Sequence, residues 1–154
     1  MVMVLHVLAV VVLGLMCGSE LNVGAFAHPI LRRQGLAEHI SGRAAYAILF
    51  GRVMPFWMTG SALLNLLLLM PFAHLPAEAW RLAAISFGIQ VAAVVFSLVG
   101  PVPINNRIAK WTVDALPGDW EEQESRWDFF HWVRTVGLMV GFGILVVSLG
   151  VCGG

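Results

Sequence analysis

Residues 129–151 have the sequence FFHWVRTVGLMVGFGILVVSLGV, in which apolar side chains dominate and only a few polar ones intervene. A helix of this length crosses the roughly 30 Å of hydrocarbon in a bilayer, which takes about 20 residues. Three comparable apolar stretches cover residues 4–31, 44–72 and 79–100. The sequence therefore predicts an all-α fold, a four-helix transmembrane bundle that forms a single integral membrane domain over residues 1–154.

The overall composition excludes a soluble globular protein. Of the 154 residues, 59% are hydrophobic and 12% are charged, whereas soluble domains have roughly 45–50% apolar and 25% charged residues. Basic and acidic side chains number nine each, so the zero net charge gives no reason to expect a nucleic-acid partner. The two cysteines, Cys17 and Cys152, are too few for a disulfide framework or a four-ligand zinc site.

The first apolar stretch is expected to be a span rather than a cleaved signal peptide. A secretory signal peptide would have Lys or Arg before its apolar stretch, and none precedes this one. Met16 is a poor residue to precede a lipid-modified Cys17, and the apolar run continues past Gly24.

Basic side chains near the span ends predict the orientation in the membrane. The loops after the first and third spans contain Arg32, Arg33, Arg43, Arg107, Lys110 and Arg126. The opposite side has Arg81 alone. We therefore expect both termini outside and residues 32–43 and 101–128 in the cytoplasm, with the arginines of the first loop acting only as topology signals.

The segment between the third and fourth spans has a helical pattern of its own. Ile108, Trp111 and Ala115 recur at helical spacing opposite basic residues, which predicts a short interfacial helix over residues 106–116. Pro117 and Gly118 end it. We expect a new helix to begin at residue 120 and to project from the membrane before it becomes the fourth span.

Polar residues of the spans cluster at one depth under this orientation. A charge at the centre of a membrane helix costs about 2.5–3.5 kcal/mol, so each needs a partner or a purpose. The cytoplasmic half contains Glu20, Asn22, His28, Arg52, Asn105, Asn106, His131 and Arg134. We therefore predict a pocket in that half of the bundle and almost no polar groups in the other half.

Spacing and depth predict two contacts within this cluster. Trp127, His131 and Arg134 are separated by four and three residues, so they share one helical face. Glu20 and Arg52 are charges at similar depth on neighbouring spans, and we expect them to form a buried ion pair.

The remaining polar residues are assigned structural roles or none. Asn65 and Gln90 are expected to form hydrogen bonds between helices. His6, His39 and His74 are expected near membrane surfaces or in loops, without a role.

Two pairs of glycines have the spacing that lets membrane helices approach closely. They are Gly14 with Gly18 and Gly137 with Gly141. Such faces pack helices within one chain or join two copies in a homodimer, and both alternatives remain open.

The cluster has no common catalytic motif, since GxSxG, HExxH, GxGxxG and CxxC are all absent from the sequence. Two chemistries remain open. His28 and His131 could hold a copper or iron ion or serve as axial ligands of haem b, as in an electron-transfer protein. Alternatively a histidine acts as a general base without a cofactor. A third hypothesis is a non-enzymatic membrane subunit held together by these polar residues.

The third loop and fourth span resemble a known family. The string GPVPINNRIAKW at residues 100–111 is followed by WxxxxxRWDFFHWVRT at residues 120–135. Together they resemble the anthrone-oxygenase-like family of small four-helix membrane proteins. The matching positions are Asn105 or Asn106, Trp111, Trp127, His131 and Arg134.

The resemblance implies a membrane-embedded, oxygenase-like oxidoreductase that uses dioxygen on a hydrophobic aromatic substrate of anthrone or polyphenol type. It implies His131 as the base, with Arg134 and Asn105 stabilising an oxyanion. Glu20 and Arg52 are further catalytic candidates beside them. The expected substrate contacts are Asn106, Trp111 and Trp127.

Overall fold

A computed structural model describes residues 2–153 of the chain. The helices are α1 (Val2–Asn22), α2 (His28–Leu31), α3 (Leu36–Leu68), α4 (Ala77–Val99), α5 (Pro101–Ile108) and α6 (Trp120–Gly153). A π turn, Val23–Ala27, joins α1 to α2, and 3₁₀ turns occupy Pro71–Ala73 and Val113–Ala115. Within the described residues, four helical segments are long and apolar enough to cross a membrane: Val2–Leu31, Leu36–Leu68, Ala77–Val99 and Trp120–Gly153. The predicted all-α fold with four spans is confirmed.

The spans differ in length, and the excess lies at one end of the bundle. α3 and α6 contain 33 and 34 residues, or about 50 Å at 1.5 Å per residue, against about 30 Å of hydrocarbon. α4 has 23 residues and ends at Val99. We call the end that carries residues 32–35, α5 and residues 109–119 the loop end. α3 begins at Leu36 there, earlier than the predicted residue 44, and α6 begins at residue 120 as predicted.

The short helix between the third and fourth spans exists, but its predicted bounds of 106–116 are wrong. α5 runs from Pro101 to Ile108 because proline favours the first turn of a helix and Gly100 interrupts α4 immediately before it. Ile104 and Ile108 are buried against α3, where they pack with Ile40 and Ala47. The helix is therefore a packed part of the bundle at the loop end.

One glycine of each predicted pair packs inside the chain. A Cβ at Gly14 would lie 2.8 Å from the ring of Phe142, and one at Gly141 would lie 3.2 Å from Ile89. These glycines therefore bring α1 and α4 close to α6. At Gly18 and Gly137 a Cβ would meet no described atom within 4 Å, and a homodimer through these faces stays a prediction.

The half of the bundle near the termini holds more polar groups than predicted. Asn65 Nδ2 donates to Ser86 Oγ at 3.2 Å, and Ser61 Oγ donates to Gln90 Oε1 at 3.1 Å. The predicted interhelical bonds of Asn65 and Gln90 are thus confirmed. His6, which was expected near a membrane surface, is completely buried within the bundle, because its position on α1 follows the same face as the core residues Ala9 and Leu13.

Candidate functional site

A cavity of about 230 Å³ lies in the loop-end half of the bundle and is lined by every helix from α1 to α6. Its apolar lining includes Phe50, Met54, Met58, Val94 and Leu98. Its polar lining consists of Glu20, His28, Arg43, Ser97, Asn105, Asn106, His131 and Arg134, together with Tyr46, Thr59 and Trp127. An apolar space and a set of charged and hydrogen-bonding groups therefore meet in one cavity.

The cavity opens sideways, between α3 and the junction of α4 with α5. Gly51, Pro55 and Thr59 lie on one face of α3 and line the cavity, yet they are exposed at the surface of the bundle. Leu98 and Asn106 do the same on the facing side.

Glu20 and Arg134 form a buried ion pair at the inner wall of the cavity. The Nη2 and Nε atoms of Arg134 lie 2.5 and 3.2 Å from the same Glu20 oxygen, Oε2. Arg134 Nη1 donates to Ser97 Oγ at 3.3 Å, and Thr135 Oγ1 donates to Glu20 Oε2 at 3.4 Å. These residues connect α1, α4 and α6, and with His131 we call them the Glu20 cluster.

The predicted ion pair between Glu20 and Arg52 is wrong. Arg52 is exposed and does not line the cavity. On α3, Met54 and Met58 are the buried residues, and at about 100° per residue Arg52 points to the opposite side. Glu20 is therefore neutralised by Arg134.

His131 is held on both ring nitrogens. Its Nε2 lies 3.0 Å from the Glu20 carbonyl oxygen, and its Nδ1 lies 3.3 Å from Glu20 Oε2 and 3.4 Å from Arg134 Nη2. The ring stacks on Trp127 with centroids 4.8 Å apart. A Cβ at Gly24 would lie 3.1 Å from His131 Nε2, so the histidine packs tightly against the π turn at this glycine.

His28 lies on the same cavity but belongs to a second set of charges. Its Nδ1 is 3.4 Å from Asp128 Oδ1 and contacts Arg43 Nη1. The ring lies 5.0 Å from that of Trp127 and 6.4 Å from that of His131. Trp127 therefore contacts both histidines.

The second set of charges, which we call the Asp128 network, continues toward the loop end. Arg43 lies 3.2 Å from Asp128 Oδ1 and 3.0 Å from Glu124 Oε1, and its guanidinium lies over Trp127. His39 Nε2 lies 2.8 Å from Glu124 Oε1. Arg32 contacts both carboxylates. α2, α3 and α6 are thus joined by ion pairs at this end.

Three sequence interpretations are corrected by this network. Arg43 was expected to be a topology signal, but it is 2% exposed and paired with two carboxylates. Arg32 pairs with the same carboxylates. His39 was expected near a surface or in a loop without a role, yet it is buried within α3 and bonded to Glu124.

Sequence reasoning missed the acidic members of this network. Glu124 and Asp128 lie in the polar stretch before the apolar residues that begin at 129, where charged side chains give no sign of burial. A signal was nevertheless present: Glu124, Asp128 and His131 are four and three residues apart and so share the face of α6 that carries Arg134.

The remaining predicted residues divide between the cavity and its surroundings. Asn105 lines the cavity and donates through Nδ2 to the Ala47 carbonyl at 2.9 Å. Asn106 lies at the opening, and Trp127 lines the wall. Trp111 is buried beside Trp120, with ring centroids 6.3 Å apart, and lies outside the cavity lining.

The contacts of the two histidines do not favour a haem or metal site. Within residues 2–153, no group of three or more His, Cys, Asp or Glu side chains is arranged to hold a metal ion. His131 would have to give up its bonds to Glu20 to become an axial ligand.

Comparison with known proteins gives a family match over most of the chain. A family model described as anthrone oxygenase matches residues 43–144, which is about two thirds of the sequence. The matched range includes Asn105, His131 and Arg134 but begins after Glu20 and His28. No curated protein and no solved structure matches the chain.

Proposed function

Since the chain belongs to the anthrone oxygenase family, we propose that it is a membrane-embedded oxygenase that oxidises a hydrophobic aromatic substrate with dioxygen in this cavity. The substrate class is an anthrone or related polyphenol with a methylene made acidic by its aromatic and carbonyl neighbours. The methylene loses two C–H bonds and gains one C=O bond. The second oxygen atom leaves as water, so one dioxygen is consumed for each quinone.

The observation that carries this proposal is the combination of apolar and polar lining in one laterally open cavity. Ligand sites are typically apolar with a few placed polar groups. Phe50, Met54 and Met58 offer aromatic and thioether surfaces to a flat ring system. The opening beside Pro55 and Leu98 admits a substrate that partitions into the membrane.

The polar lining matches the charges that develop in such a reaction. Removing a methylene proton moves negative charge onto the substrate oxygen, and nearby donors stabilise it. Asn105 uses one hydrogen bond on Ala47, which leaves its second amide hydrogen for that oxygen. Arg134 is shared with Glu20, so its contribution is smaller than that of a free cation. A proton acceptor is also required, and His28 and His131 both line the cavity.

The test is oxygenation by purified protein in lipid nanodiscs supplied with an anthrone. We expect quinone formation above the spontaneous rate, with dioxygen uptake equal to quinone formed. A Met54→Trp variant, which fills the cavity, should lose this activity, whereas Phe56→Leu on the exposed face should keep it. Absence of turnover would contradict the proposal. A Soret band from bound haem would also contradict it and would favour the electron-transfer hypothesis.

A further inference from the structure

The two histidines of the cavity are not equivalent, and the difference assigns the proton acceptor. We propose, building on the oxygenase function above, that His28 Nε2 takes the substrate proton and that Asp128 positions it. His131 then serves as a packing and hydrogen-bonding residue. The family match does not cover His28, so the assignment rests on geometry alone.

His131 has no free ring nitrogen to offer. Nε2 is bonded to the Glu20 carbonyl, and Nδ1 lies between Glu20 Oε2 and Arg134 Nη2. Its ring face is covered by Trp127. A base must reach the proton within hydrogen-bond distance, and His131 would first have to break the contacts that keep Glu20 and Arg134 together.

His28 has one occupied and one free nitrogen. Asp128 and Arg43 lie at Nδ1. Among residues 2–153 no group forms a hydrogen bond with Nε2, although the side chain lines the cavity. The residue is otherwise buried, at 4% exposure. A side chain that is buried on other sides and lines the cavity can present this nitrogen to a bound molecule.

The proposed base uses the tautomer of His28 in which Nδ1 carries the hydrogen and the lone pair is on Nε2. Of the two groups at Nδ1, only Asp128 can accept that hydrogen, at 3.4 Å, while Arg43 donates to the same carboxylate oxygen at 3.2 Å. Arg43 lies against the same pair and balances the negative charges of Asp128 and Glu124, as Arg32 does further out. After proton transfer the positive imidazolium faces the negative substrate across the cavity.

The proposed sequence of steps balances. A methylene C–H bond breaks, the proton goes to His28 Nε2 and the electron pair stays on the substrate as an enolate. Dioxygen is the oxidant: it adds to that carbon, and His28 returns its proton to the resulting substrate peroxide anion. Loss of the second C–H hydrogen and cleavage of the O–O bond release water and leave the carbonyl. His28 ends unprotonated, ready for another cycle.

Hydrogen exchange tests the first step without oxygen. Under anaerobic conditions in ²H₂O, the protein should speed incorporation of deuterium into the substrate methylene, measured by mass spectrometry. We expect His28→Gln to lower both this exchange and aerobic kcat by about 10²-fold or more with little change in KM. Added imidazole should restore part of the activity of His28→Ala. His74→Asn, at an exposed loop histidine, is the matched control and should behave as the wild type.

The variants of the partner residues separate catalysis from folding. His131→Gln should lower the yield of folded protein, while exchange per folded molecule falls less than tenfold. Asp128→Asn should keep substrate binding but shift the pH at which kcat rises, since the charge beside His28 is lost. Arg43 and Glu124 remain in place in that variant and keep the network assembled.

The outcomes distinguish this assignment from the oxygenase proposal. Exchange without oxygenation would reject the oxygenase and leave His28 as the base. Oxygenation that persists in His28→Gln would contradict the assignment of His28 as the base but not the oxygenase proposal. Loss of exchange in folded His131→Gln, with exchange retained in His28→Gln, would reverse the roles of the two histidines.

Discussion

Buried polar groups occur in both halves of this bundle, but they are used differently. Near the termini, Asn65, Ser61, Ser86 and Gln90 are neutral and bond to one another between α3 and α4. In the loop-end half, charged groups such as Glu20, Arg43 and Arg134 are part of the polar lining of a cavity. Neutral groups that bond to one another join helices, whereas charged groups facing an open space can act on a ligand. Whether buried polar groups only join helices or can also act on a ligand therefore depends on their charge and on their access to the cavity.

The largest expected effect concerns the side of the membrane on which each half of the bundle lies. The basic residues predict that the loop end is cytoplasmic and that both termini are outside. Reporter fusions after residue 154 and within residues 112–119 should therefore be active on opposite sides. Labelling of both sites from the same side would contradict this orientation.

The next effect is the removal of one charge from the Glu20 cluster. Arg134→Met should destabilise the protein by about 3–5 kcal/mol because Glu20 is left buried and unpaired. Glu20→Gln combined with Arg134→Met should cost less than the sum of the single changes. Thermal unfolding in detergent measures this coupling. Arg52→Met is the control, and its effect should simply add to that of Glu20→Gln.

A smaller effect is expected from closing the space beside His131. Gly24→Ala would place a Cβ 3.0 Å from the Trp132 ring and 3.1 Å from His131, and such overpacking costs about 1–3 kcal/mol. Gly18→Ala, on the same segment, meets no described atom within 4 Å. It should be neutral or slightly stabilising. Equal losses for the two variants would show that His131 does not pack as closely as described.

The smallest effect belongs to the neutral half. Asn65→Ala should cost about 0.6 kcal/mol, the average for a hydrogen bond between membrane helices. Oxygenation should be unchanged, because Asn65 lies outside the cavity lining. A loss of activity at unchanged stability would contradict the division between the two halves.

Much of the fold follows from composition, and much of the site does not. Length and hydropathy were enough to predict four spans, and depth alone placed Glu20, His28, His131 and Arg134 together. Composition does not determine how each helix is rotated about its axis. Arg52 was therefore paired with Glu20, although it faces away from the cavity.

The missed residues have a related cause. Glu124 and Asp128 precede the apolar stretch that begins at residue 129, so a membrane argument based on the cost of buried charge does not single them out. Arg43 was counted among loop residues because the apolar stretch begins at residue 44, whereas α3 begins at Leu36. Packing between α2, α3 and α6 buries Arg43 and Glu124 and leaves Asp128 half-buried.

The π turn at Val23–Ala27 changes the angle between Glu20 and His28 around the helix axis, and so the relative positions of the two sets of charges. In an uninterrupted α-helix, Glu20 and His28 would be about 80° apart around the axis. A π turn accommodates one extra residue, which brings the two side chains to within about 20° of each other at 100° per residue. The turn therefore compensates for one residue of the chain. Deletion of one of its residues would leave a regular α-helix with His28 still within about 20° of Glu20, whereas substitutions that convert the turn to regular α-helix at constant length would rotate His28 by about 100° and out of the cavity.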